Sequence, residues 1–264
     1  MLFPETTRIL YKKNPLEEVI CQLRFPTILK IEKEIPYELQ EAIRYDFPEY
    51  SESNEIQIPL PGQKTGEVPS ELVELAKNNL IRKNYMFLSV DKKWKVNLTR
   101  DFITLSTVDY SRWEEFRNKI LFIIDKFENI YNPSYFSRIG LRYIDIISRE
   151  NLGLTNVSWS ELLNPAIIGL LGEESFENQV ENLTINTLLD LGYRVSKVRI
   201  QNGLVVDTSS KQKKYRVDSD FYTLENTKIS ESLEILDNFH ECASRLIRWC
   251  ITEKLHNAME PKEL

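Results

Sequence analysis

Two segments of this chain end alike, and that repetition constrains the fold more than any single motif. Near the start, Glu18-Val19-Ile20-Cys21-Gln22-Leu23-Arg24-Phe25 reads as a strand closing on Leu-Arg-aromatic; far downstream, Arg138-Ile139-Gly140-Leu141-Arg142-Tyr143 closes the same way. Each is followed by a short helix-like stretch, several strand-like stretches and one long amphipathic helix. Arg24 and Arg142 are offset by 118; Trp113 and Phe116 of the first long helix lie 120 before Leu233 and Leu236 of the second. Two independent anchors thus agree, which predicts an internal duplication with boundaries at 1–132 and 133–264. Each half reads as β-α-β-β-β-α, and the two are expected to form one pseudo-symmetric body. Such units place helices on one face of an antiparallel sheet, so the expected class is α+β.

Two such units side by side predict a curved sheet with an uncovered face. The arrangement resembles TATA-binding-protein-like or gyrase-inhibitor-like architecture, an analogy of fold that carries no function by itself.

The period of two sets the first strand: Val19, Cys21, Leu23 and Phe25 share one face, Ile20, Gln22 and Arg24 the other. Pro36 suits the first turn of a helix through Phe47. Residues 51–70, rich in proline and glycine, read as an exposed connection, with Ser70 capping a short helix to Leu80. Tyr85–Val90, Trp94–Leu98 and Phe102–Thr107 read as a meander. Ser111 with Glu114 forms a capping-box pattern, and Trp113, Phe116, Ile120, Ile123, Ile124 and Phe127 make an apolar helical stripe. The second half offers a strand over Phe136–Ser148, a short helix from Ser158 bent at Pro165, and strands near Phe176–Asp190, Arg194–Thr208 and Lys214–Thr223. A long helix from Ser230 then carries Leu233, Leu236, Phe239, Ala243, Leu246, Ile247 and Cys250 on one face.

Composition bounds the function classes. The chain has 264 residues, 42% hydrophobic and 28% charged, ordinary for a globular protein. A net charge of −6 argues against nonspecific binding to phosphate backbones, although a local basic face is compatible with it. No apolar run reaches the roughly 18 residues of a membrane span, and Met1 to Lys13 lacks the apolar core of a signal peptide. The three cysteines, Cys21, Cys242 and Cys250, form no paired framework. Reduced thiols in the cytoplasm are the expectation.

Candidate chemistry gathers on the uncovered face. If the apolar faces meet the helices, Arg24, Arg142, Arg216, Asp218 and Asp220 all point the other way. Arginine there can grip a carboxylate or phosphate bidentately; the alternative is cross-strand pairing of arginine with aspartate on a solvated sheet. Asp207, Asp218 and Asp220 are carboxylates of the kind that hold a hard cation, but no histidine or glutamate completes a motif. His240 and Cys242, two apart, point to different sides of their helix, and His256 stands apart from both. The glycines fit no phosphate loop, so no cofactor is expected. Lys211-Gln212-Lys213-Lys214 reads as a solvated hairpin tip able to touch phosphate.

The opening Lys13-Asn14-Pro15-Leu16-Glu17-Glu18-Val19 leading into Leu23-Arg24-Phe25, the central Arg138-x-Gly140-Leu141-Arg142-Tyr143 and the late Asp218-Ser219-Asp220-Phe221 resemble a sporadically distributed family of uncharacterised prokaryotic proteins of similar length. The resemblance spans nearly the whole chain and carries no catalytic residues. The family's patchy distribution implies mobile or defence-associated genes.

The expected function is a non-catalytic cytoplasmic binding or interaction module, such as a sensor or immunity component of a prokaryotic defence or stress system. Arg24 and Arg142 would contact an anionic ligand or protein partner, with Asp218 and Asp220 orienting them. The alternatives are a hydrolase of phosphorylated or nucleotide substrates with metal on Asp207, Asp218 and Asp220, and a nucleic-acid-binding saddle. Self-association through sheet edges is a further expectation.

Overall fold

The computed structural model describes residues 2–56, 81–207 and 210–263. Chain order is β1 (Ile9–Tyr11), β2 (Leu16–Arg24), α1 (Leu29–Lys33), α2 (Tyr37–Ile43), β3 (Glu49–Ile56), β4 (Ile81–Leu88), β5 (Trp94–Leu98), β6 (Phe102–Thr107) and α3 (Trp113–Tyr131). There follow β7 (Arg138–Ile147), α4 (Trp159–Leu162), α5 (Pro165–Ile168), α6 (Glu174–Glu177), β8 (Thr184–Asp190), β9 (Ser196–Val206), β10 (Lys213–Thr223), α7 (Ser232–Cys250), α8 (Glu253–Ala258) and β11 (Pro261–Glu263). The class is α+β, built on a nine-stranded antiparallel sheet in the order β3-β4-β5-β6-β2-β7-β10-β9-β8.

Alternation decides which side of the sheet is covered. Val19, Cys21 and Leu23 of β2 stand level with Thr107, Leu105 and Ile103 of β6 and with Tyr143, Leu141 and Ile139 of β7. All nine are buried. The two long helices lie on that side. The α3 stripe Trp113, Phe116, Ile120, Ile123, Ile124 and Phe127 is wholly buried. Phe127 meets Phe25 at a ring distance of 4.6 Å, Phe116 stacks on Trp94, and Phe239 of α7 meets Phe221 of β10. A fully buried Phe or Leu contributes roughly 1.5–3 kcal/mol, so these stripes dominate the stability of the fold. Trp113 Nε1 and the Arg117 guanidinium both donate to Asp237, tying α3 to α7.

One irregularity turns a side chain. At Glu17 β2 carries a bulge, so that Leu16 pairs with Asp145 while Glu18 pairs with Ile144. The extra residue puts Leu16 on the helix side with Val19, which uninterrupted alternation would forbid. At the other end of the sheet Gly203 has φ of +154°, and a Cβ there would collide with the Leu183 carbonyl. Only glycine permits that approach.

Several elements differ from the sequence expectation. Residues 51–56, expected within an exposed connection, belong to edge strand β3 (Glu49–Ile56) on β4. Its segment Glu49-Tyr50-Ser51-Glu52-Ser53 shows little apolar alternation, because an edge strand is held chiefly by ladder hydrogen bonds. The strand expected from Phe176 begins only at Thr184; Glu174–Glu177 is helical, and Phe176 is exposed. Pro165 does not bend a helix but starts α5, capped by Asn164 accepting from the Ala166 N–H. The capping box does not form: Arg112 is the N-cap, and Ser111 Oγ donates to Glu115 at 2.5 Å. The helix expected from Ser70 to Leu80 lies outside the described residues.

Candidate functional site

The face that no described element covers is built from the residues that alternate away from the helices. Register places Arg24 and Gln22 of β2, Arg138, Gly140 and Arg142 of β7, and Arg216, Asp218, Asp220 and Tyr222 of β10 on that face. All five residues singled out from the sequence, Arg24, Arg142, Arg216, Asp218 and Asp220, therefore share it.

Their pairing is diagonal. Asp218 stands opposite Ile144, and the Arg142 guanidinium reaches it with two hydrogen bonds of 2.7 and 2.6 Å. These bonds raise the Arg142 pKa, burial opposing them. Asp220 stands opposite Arg142 yet is bound by Arg138, whose Nη2 alone donates to both carboxylate oxygens at 2.9 and 2.8 Å. Arg138 also donates to Gln22 Oε1 at 3.0 Å and lies 4.8 Å from the centre of the Tyr222 ring.

Gly140 explains how Arg138 reaches so far. A Cβ at Gly140 would fall within the Arg138 guanidinium. The Arg-x-Gly spacing is thus a steric device: the missing side chain is the space in which Arg138 folds back along its own strand.

Arg24 is held differently. It donates to Gln22 at 3.2 Å and, among the described residues, pairs with no carboxylate at salt-bridge distance. Burial, then the Arg138 charge, lowers its pKa, with Asp101 opposing and Arg82 adding to the effect. Arg82 of β4 donates from Nη1 to both carboxylate oxygens of Asp101, at 2.9 and 3.1 Å, and lies over the Phe102 ring. Three arginines thus crowd one end of β2, with Asp101 and Asp220 engaged by two of them. Arg216 makes no ion pair among the described residues, and its buried Nε has no acceptor.

Sequence reasoning placed Asp218 and Asp220 as the groups orienting Arg24 and Arg142. Asp218 does orient Arg142; Asp220 instead holds Arg138, and Gln22 holds Arg24. Arg82 and Asp101 were missed. Their meeting depends on β5 ending at Leu98, so that Arg82 passes its end to reach the turn before β6, and only the register reveals this.

The metal set does not assemble. Asp218 is level with Gln201, while Asp207 lies past the end of β9, about 20 Å away at roughly 3.3 Å per residue. Asp207 Oδ2 accepts from Lys214 at 2.6 Å. Among the described residues no three His, Cys, Asp or Glu side chains are grouped to hold a metal ion. The hairpin tip is also engaged, since Lys213 donates to the Val180 carbonyl at 2.8 Å. All three thiols are buried and their pKa values raised chiefly by burial, which opposes a nucleophilic role.

No protein-family model matches the chain, and no curated protein matches it. Among the described residues, no helix is long and apolar enough to cross a membrane.

Proposed function

We propose that this protein is a non-catalytic binding module that recognises a carboxylate- or phosphate-bearing group of a protein partner on the uncovered sheet face. The observation that carries the reading is Arg24: an exposed guanidinium, set by Gln22 beside Arg138 and Arg82, with no carboxylate of its own among the described residues. Arg142 and Arg138 are neutralised by Asp218 and Asp220, so they stiffen the surface and Arg24 is the contact. An incoming anion relieves the mutual repulsion of the arginines and offers them bidentate geometry.

The strand order supports a tandem origin for the surface. β2 and β7 lie side by side at the centre, each bonded to the last strand of its own meander, β6 and β10. Each meander is followed by a long helix, α3 or α7. Halves 1–132 and 133–264 would then be related about the β2–β7 pair, in the manner of TATA-binding-protein-like or gyrase-inhibitor-like architecture. The first half carries β3 as one strand more than the second. A cytoplasmic role as a sensor or immunity component in a prokaryotic defence or stress system follows from the family resemblance. Edge strands β3 and β8 would serve any self-association.

The test is native purification followed by mass spectrometry of what travels with the protein, repeated with Arg24→Glu. A stoichiometric protein partner lost on charge reversal, with Tm unchanged, supports the reading. Retention of the partner by Arg24→Glu sinks it. Steep salt dependence with DNA or RNA would transfer the face to a nucleic-acid saddle.

A further inference from the structure

The helix side of the sheet holds a partly open cavity of about 110 Å³ over the central strands. Its floor is Tyr143 and Asp145 of β7 with Ser219 of β10; one wall is α7, through His240, Ala243 and Ile247; its cover is the N-terminal segment from Thr6 to Leu16. That segment is fastened along its length. β1 pairs with β11, Arg8 bonds Glu114 at the start of α3, and the Tyr11 hydroxyl meets His256 Nδ1 at 2.9 Å. The bulge at Glu17 aims Leu16 inward, and the strap continues directly into β2.

Asp145 is the anomaly in this chamber. Only 6% of it is exposed, it lines the cavity, and among the described residues no hydrogen bond or ion pair reaches its carboxylate. A buried carboxylate without a partner costs several kcal/mol when ionised. The two rim cations are engaged elsewhere. Arg8 is bound by Glu114, and Arg248 by Glu253 and the Ile251 carbonyl. His240 is stacked flat on Trp113 at 4.6 Å, and its Nδ1 is satisfied by the Tyr143 hydroxyl at 3.0 Å. The remaining lining combines apolar and aromatic side chains, among them Tyr110 and Trp113, with the neutral polar Thr6, Thr7, Asn14 and Ser244.

We propose that this cavity binds a small organic ammonium ion, with Asp145 as its counter-ion, Ser219 as a hydrogen-bond acceptor and the aromatic walls packing on its carbon chain. The cation supplies what Asp145 lacks, and desolvated rings add cation–π attraction. The volume sets the size: a cavity of roughly 150 Å³ takes benzene with its six heavy atoms, so this one of about 110 Å³ suits about four or five. The site is independent of the arginine face, from which the sheet separates it.

The experiment is thermal unfolding of the full chain at pH 8 against n-butylammonium chloride, with butan-1-ol as neutral isostere and sodium butyrate as anion. We expect a saturable rise in Tm with n-butylammonium alone, giving a Kd in the millimolar range expected of so small a ligand. Asp145→Asn should weaken that binding at least tenfold. Ala243→Leu, which narrows the cavity while keeping the carboxylate, should weaken it similarly. Equal stabilisation by butan-1-ol, an unchanged Kd in Asp145→Asn, or no saturable response up to about 50 mM n-butylammonium would each overturn the assignment.

Discussion

Asp145→Asn should make the protein more stable, and increasingly so as pH rises. Burial, with the Asp218 carboxylate behind it a secondary cause, pushes the Asp145 pKa from 3.8 up to about 7. Below the unfolded value both states hold the proton and there is no penalty. Between about 4 and 7 the unfolded chain releases it while the folded chain retains it, so stability falls by about 1.4 kcal/mol per pH unit. Above 7 the folded carboxylate is ionised too, and the accumulated cost levels off at about 4 kcal/mol. Asparagine has no charge to lose, so its advantage over aspartate should open across that window and then stay constant. The charged or titratable neighbours, Arg8, Arg248, His240, Tyr143, Asp218 and Cys250, are common to both proteins. His240, which burial holds down to about 4, therefore cancels from the difference although it shapes each curve. Urea unfolding of both proteins at pH 4.5, 6 and 8 gives the comparison, provided the m-values agree. A stability difference that does not change with pH would refute the reasoning, because it would mean that Asp145 ionises as readily folded as unfolded.

Other consequences are as specific. Gly140→Ala should destabilise by about 1–3 kcal/mol, and adding Arg138→Ala should cost little more, since the added methyl already expels that guanidinium from Asp220 and Gln22; additive losses in urea titrations would refute the steric account. Asp237→Ala removes the acceptor shared by Trp113 and Arg117 and should cost about 1 kcal/mol, a modest figure because the pair is partly solvated. A change within error would show that apolar packing alone joins α3 to α7. Cys21, buried and with its pKa pushed up to about 12, should resist a thiol reagent until the protein unfolds, as should Cys250. Rapid labelling of the native protein, read by mass spectrometry at each cysteine, would contradict the core placement.

Local alternation and helical periodicity determined a good part of this protein before any coordinates. The faces of β2, β7 and β10, and hence the common side of Arg24, Arg142, Arg216, Asp218 and Asp220, follow from a period of two, because neighbouring side chains on a strand must point oppositely. The α3 stripe follows from a period near 3.6 and is buried residue for residue. Distance across the sheet is a different matter. Which aspartate meets which arginine depends on strand order, on diagonal reach and on the space left by Gly140, none of which is a local property. Polar β3 was illegible because ladder bonds hold an edge strand without an apolar pattern. Asp145 looked like one more residue of a strand. Only the bulge at Glu17, the strap fastened by β11 from the far end of the chain, and the placing of α7 enclose it without a partner. Burial of a charge is decided by everything that packs around it, and no segment carries that information alone.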